Sequence, residues 1–121
     1  MVVSHPPEKL AEPLRGGFAR VGRQMTVALT ELDVAWALLG QQRFADAARQ
    51  AQSVLARFPD NVSALACHAM ANWKSGGDAE LSLAEMRRAV ALAPDVASVR
   101  HNLATLLASR GDTTEAAEQF R

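Results

Sequence analysis

The sequence predicts an all-α fold, an α-solenoid of antiparallel helix pairs in about three repeats, the last of them incomplete. Three observations carry this. Ala35, Ala69 and Ala104 stand 34 and 35 residues apart within similar apolar patterns. Pro59 and Pro94, each followed by Asp, are 35 apart, and Gly77-Asp78 recurs as Gly111-Asp112 after 34. Phe44-Ala45-Asp46-Ala47-Ala48 returns as Thr113-Thr114-Glu115-Ala116-Ala117 after 69. A two-helix unit of this length buries its apolar face only by stacking on its neighbours. The change of spacing within the second repeat implies one inserted residue. Ser75-Gly76-Gly77 is its natural place, because glycine absorbs an extra turn residue with little steric strain.

Taken in order, residues 1–25 read as a tail or capping segment, with Pro6, Pro7, Pro13, Gly16, Gly17 and Gly22 as breakers. Within it Leu10, Leu14, Phe18 and Val21 keep helical spacing. The first helix spans about Thr26 to Gln41, and its apolar residues Val27, Leu29, Leu32, Val34, Ala35, Trp36, Leu38 and Leu39 surround nearly the whole cylinder, as expected of a helix packed on several sides. Phe44 to Arg57 is its partner, with 3- and 4-residue apolar steps ended by Pro59. Asp60 or Asn61 caps the next helix, which runs to about Lys74, and Asp78 caps the one ending near Ala93. After Pro94 a helix from Val96 to Ser109 precedes Asp112-Thr113-Thr114-Glu115, a capping-box pattern that opens a last helix just before Arg121.

Composition narrows the function. The chain has 121 residues, 49% hydrophobic, with 13 basic and 13 acidic side chains. No stripe of Lys and Arg tracks a phosphate backbone, so nucleic acid is not an expected partner. The single cysteine, Cys67, rules out an intrachain disulfide. The start lacks a secretory pattern, and the most apolar window, Met25 to Gly40, holds Glu31 and Asp33 and is too short to span a bilayer. A cytoplasmic protein with no membrane partner is the expectation. Abundant Ala and Arg, with Lys9 and Lys74 the only lysines, suits a bacterial gene.

Residues 26–121 resemble the tetratricopeptide repeat (TPR) family, with repeats at about 28–61, 62–95 and 97–121. The residues that carry the resemblance are Ala35, Ala69 and Ala104 at the small position of the first helix. Ala47, Ser82 and Ala116 take the small position of the second, and Pro59 and Pro94 close each repeat. Small side chains there let the two helices cross closely. The resemblance implies a concave groove lined by first-helix residues: Leu29, Leu32, Trp36 and Leu39, then Met70 and Trp73, then His101 and Thr105. Both tryptophans fall on it. An apolar patch of this kind calls for a cover. The candidates are a partner peptide or helix, the chain's own Leu10, Leu14, Phe18 and Val21, or packing of the first helices on one another.

One binding mode of the family is disfavoured by the residues themselves. The clamp for chaperone C-terminal carboxylates needs Lys, Asn and Arg where this chain has Leu32, Trp36, Cys67, His101 and Thr105. Catalytic patterns are weak: His5, His68 and His101 have no ligand spacing, no phosphate loop occurs, and neither metal nor cofactor is expected. His68 is expected as a partly buried packing residue. Leu103, Leu106, Leu107 and Phe120 are expected to lack a downstream neighbour, which fits either truncation from a longer chain or a homodimer through that uncapped end. The function expected is a non-enzymatic scaffold or adaptor that binds a protein or peptide. The alternative is the N-terminal recruitment domain of a larger enzyme, such as a bacterial transferase.

Overall fold

Residues 26–120 are described by the computed structural model. The expected segment with Leu10, Leu14, Phe18 and Val21 lies outside them. The chain divides into two compact units, Met1–Thr30 and Glu31–Arg121. Of the first, only residues 26–30 are described, a helical turn in which the Thr30 hydroxyl donates to the Thr26 carbonyl.

The helices are α1 (residues 26–40), α2 (Phe44–Arg57), α3 (Val62–Lys74), α4 (Ala79–Leu92), α5 (Ala97–Ser109) and α6 (Thr113–Phe120). No strand occurs among the described residues. Successive helices pack on one another from α2 through α6, and α3 also touches α5. Turns this short fold consecutive helices back antiparallel.

The turn inside each pair is the same hydrogen-bonded device. Gln42, Gly76 and Gly111 take positive φ of 64°, 86° and 87°. The following residue then donates its N–H five positions back: Arg43 to Leu38, Gly77 to Asn72 and Asp112 to Leu107, at 2.9, 2.7 and 2.9 Å. These are Schellman closures, which satisfy carbonyls left open at a helix end. The second pair carries the extra residue where it is expected, but the structural counterpart of Gly111 is Gly76, and Gly77 is the addition. A Cβ at Gly77 would sit 2.8 Å from the Asn72 carbonyl oxygen, so that position admits glycine alone.

Caps and breakers follow the sequence closely. Of the two candidates, Asn61 rather than Asp60 caps α3, its Oδ1 accepting from Ala64 N at 2.9 Å. Asp78 Oδ1 accepts from Glu80 N at 2.8 Å at the start of α4. Phe58 and Ala93, each before a proline, leave the helical region with φ −131° and −142°. Val96 is extended, so α5 begins one residue later than expected. Glu115 of the capping-box pattern accepts instead from Arg87 of α4, at 2.8 Å.

Among the described residues two core clusters stand out. Ala35, Ala51 and Cys67 pack as one small-residue cluster. The other contains Leu65, Met70, Leu83, Met86, Leu103, Leu106 and Leu107, with Ala69, Ala89 and Ala116 among the small residues that complete it. Ala35, Ala69, Ala104, Ala47, Ser82 and Ala116 are all buried. Leu103, Leu106 and Leu107, expected to lack a downstream neighbour, leave no open apolar face. They are buried with Leu83 and Met86 of α4, which cover them from the upstream side. Phe120, 54% exposed, is the one of the four left open.

Arg87 and Arg88 join neighbouring pairs. Arg87 bonds Glu115 and Arg88 bonds Asp60 in the turn after α2. Arg110–Glu80 at 2.5 Å is a similar bridge, and Arg57–Glu31 joins the two helices of the first pair. Exposed pairs contribute about 0–1 kcal/mol each, so they orient helices more than they stabilise them.

Candidate partner-binding face

Helix α3 is the centre of the expected groove, because the first helices before and after it flank the same side. Its N-cap Asn61 fixes the start of the helix, and two residues on, Ser63 Oγ accepts a 2.9 Å hydrogen bond from Trp36 Nε1 of α1. The indole of Trp36 is half-buried and touches both core clusters. Trp73 and Leu39 are also half-buried against the larger cluster. Leu32 and Met70 lie deeper, at 3% and 7% exposure.

The C-terminal end of α3 carries a cation. Lys74 Nζ stands 5.4 Å from the Trp73 ring centroid and 6.0 Å from that of Phe44, within cation–π range. On α5, His101 is exposed and meets Phe120 edge to face, centroids 5.3 Å apart. Thr105 Oγ1 turns back to donate to the His101 carbonyl at 3.0 Å. Leu29, in the Met1–Thr30 unit, is 61% exposed. Trp36, Leu39, Trp73, His101 and Thr105 therefore offer edges and polar atoms, whereas Leu32 and Met70 act as packing.

The polar residues outside this face are structural in their contacts. His68 Nδ1 lies 2.7 and 2.8 Å from the two Glu85 carboxylate oxygens, and Asn72 Nδ2 lies 3.2 Å from Nε2. A neutral ring with its proton on Nδ1 satisfies both contacts, donating to Glu85 and accepting from Asn72. Cys67 is buried, and desolvation pushes its thiol up to about 12, away from nucleophilic use. Among the described residues no group of three His, Cys, Asp or Glu side chains could hold a metal, and no helix is long and apolar enough to cross a membrane.

Two contacts escape the sequence reading. Ser63 as the Trp36 partner has no local signal, since 27 residues separate them. A second depression, lined by Val34, Leu38, Arg43, Asp46, Arg49 and Gln50, has one: arginines three residues either side of Asp46. Asp46 Oδ2 accepts from Arg43 at 2.7 Å, and Oδ1 is bonded by Arg49.

Comparison with known proteins agrees with this architecture. The family model for the tetratricopeptide repeat matches residues 32–97 and again 68–121. Among solved structures, the second TPR of Spaghetti (RPAP3), bound to the HSP90 peptide SRMEEVD, has a TM-score of 0.70 at 20% identity, covering 87% of this chain and 92% of that one. MamA, residues 41 to the end, from Desulfovibrio magneticus RS-1 gives a TM-score of 0.67 at 19% identity, covering 84% of this chain. The MamA RS-1 ArsTM double mutant gives 0.63. The chain spans 65% of the MamA chain's length. No curated protein sequence matches it. Identities at this level speak to fold alone, but the repeat model covers most of the sequence, and the chain belongs to the tetratricopeptide repeat family.

Proposed function

We propose that this chain is a protein-interaction module that binds a partner peptide or helix on its first-helix face, with Trp36, Leu39, Trp73, His101 and Thr105 as the site and Leu32 and Met70 packed beneath it. The observation that carries this reading is the pair of half-buried indoles, Trp36 and Trp73, on the first helices of adjacent pairs. Half-buried tryptophan on a rigid helix anchors partners at little cost in conformational entropy. Ser63, Lys74 and His101 add polar handles that fix a ligand's register. TPR arrays expose extended surfaces suited to this use.

The ligand differs from a chaperone tail. Leu32, Trp36, Cys67, His101 and Thr105 supply no Lys or Arg for a terminal carboxylate, although the RPAP3 domain of the same fold carries an HSP90 peptide. An apolar or aromatic segment fits better. At the downstream end, exposed Phe120 is where a second copy of the chain would dock.

The test is selection of ligands from a random peptide library, followed by affinity measurement on Trp36→Ala and Trp73→Ala variants with SRMEEVD as a control. Loss of about tenfold or more in each folded variant is expected for an anchor residue, with no binding of SRMEEVD. Selected peptides that bind both variants as well as the parent would refute the site.

A further inference from the structure

The repeat turns the same positions of each pair toward whatever precedes it. In the third pair the floor of that face is Leu103 and Leu107, buried with Leu83 and Met86 of α4. Beside the floor runs a stripe of Asp112, Glu115 and Glu118, and α4 answers it with Arg87, which donates to Glu115 at 2.8 Å. Carboxylates on the stripe are met by a basic covering helix.

Sixty-nine residues earlier the same positions are Val34 and Leu38 for the floor and Arg43, Asp46 and Arg49 for the stripe. They line one depression. Here α1 is the first of the described helices, and Val34 is 42% exposed. The sign is also reversed. Two guanidinium groups clasp one carboxylate, and both arginines are exposed, so the stripe carries net positive charge.

We infer that this face binds an acidic amphipathic helix from a partner protein, seated on Val34 and Leu38 as α4 is seated on Leu103 and Leu107, with its carboxylates toward Arg43 and Arg49. Charge decides the occupant. In a second copy α4 is packed between α3 and α5, and Glu115 of α6 is held by Arg87 of its own chain, so neither helix brings a free run of carboxylates to Arg43 and Arg49. This surface is separate from the groove of Trp36 and Trp73, and a partner could hold both.

The internal repeat supplies the probe. A synthetic peptide with the sequence of residues 79–92, glutamate replacing Arg87 and Arg88, is labelled and titrated into the full chain by fluorescence anisotropy beside the unaltered peptide. The acidic peptide should bind about tenfold or more tighter and weaken as salt rises. In an Arg43→Glu/Arg49→Glu variant the preference should invert, and Leu38→Asp should weaken both peptides. Both substituted arginines are exposed, so an unchanged melting temperature is expected for the double variant. Equal binding of the two peptides, binding indifferent to the double variant, or no binding by the full chain would each overturn the proposal. Self-association abolished by the double variant would overturn it too, assigning the face to a second copy.

Discussion

The junction between α2 and α3 and the junction between α4 and α5 solve one packing problem in opposite ways. At the first, the small residues Ala51 and Cys67 meet with Ala35 of α1, and half-buried Trp36 packs against them from outside. At the second, Leu83 and Met86 interlock with Leu103, Leu106 and Leu107. Each joins the second helix of one pair to the first helix of the next. The first junction gains by close approach of backbones, the second by filling volume. The fold therefore fixes the sequence of contacts and leaves their residue sizes free, provided the two sides sum to the available space.

This contrast can be broken most severely at Met86. Met86→Ala should cost about 2–5 kcal/mol, read as a lower denaturation midpoint, because a buried side chain in a packed cluster leaves a cavity. At the small-residue junction the opposite change is the damaging one: Ala51→Leu should cost about 1–3 kcal/mol by forcing α2 from α3. A neutral Ala51→Leu would mean that the first junction is loose rather than close. Ser82 sharpens the comparison from between the two junctions. Its hydroxyl is buried without a hydrogen-bond partner, so Ser82→Ala should stabilise by about 1 kcal/mol in the same assay.

Smaller still is the turn of the first pair, where Gln42 holds the left-handed position that glycine takes in the other two. Gln42→Gly should raise stability by about 0.5–1 kcal/mol, and the melting temperature would show it. At neutral pH the last expected effect is nil. The Cys67 thiol is raised from 9.0 to about 12 by burial, so the folded chain holds the proton more tightly than the unfolded one. That contribution is whole below about 9 and fades as pH climbs toward 12. A Cys67→Ala variant should lose less stability than the parent over that window.

Much of the fold is legible in local residues. Phe44–Arg57 agrees with expectation at both ends, because Pro59 forces the residue before it out of the helix and Phe44 begins the 3- and 4-residue apolar steps. The extra residue of the second pair is visible as a change of spacing. Which glycine is the extra one is not, since only the φ angles and the Asn72 carbonyl distinguish Gly76 from Gly77. The candidate site is less legible. Helical spacing puts Leu32, Trp36, Met70 and Trp73 on one stripe, but burial depends on how neighbouring first helices approach, and this sinks Leu32 and Met70 while leaving the indoles half-open. The pairing of His68 with Glu85, 17 residues away, and of Trp36 with Ser63 is set by that same tertiary approach. The covering of Leu103 and Leu107 by α4 has a comparable origin: spacing identifies an apolar face but not the side from which its neighbour comes.

The sealed sulfur of Cys67 makes the α2–α3 seam a timer. Nothing needs to be attached to the protein to watch that seam part, because a thiol reagent in solution can react only during the intervals when the helices separate. With fast reclosing, the modification rate divided by that of the unfolded chain equals the open fraction. Repeating it with a ligand present would reveal whether occupancy of either surface is felt at the seam.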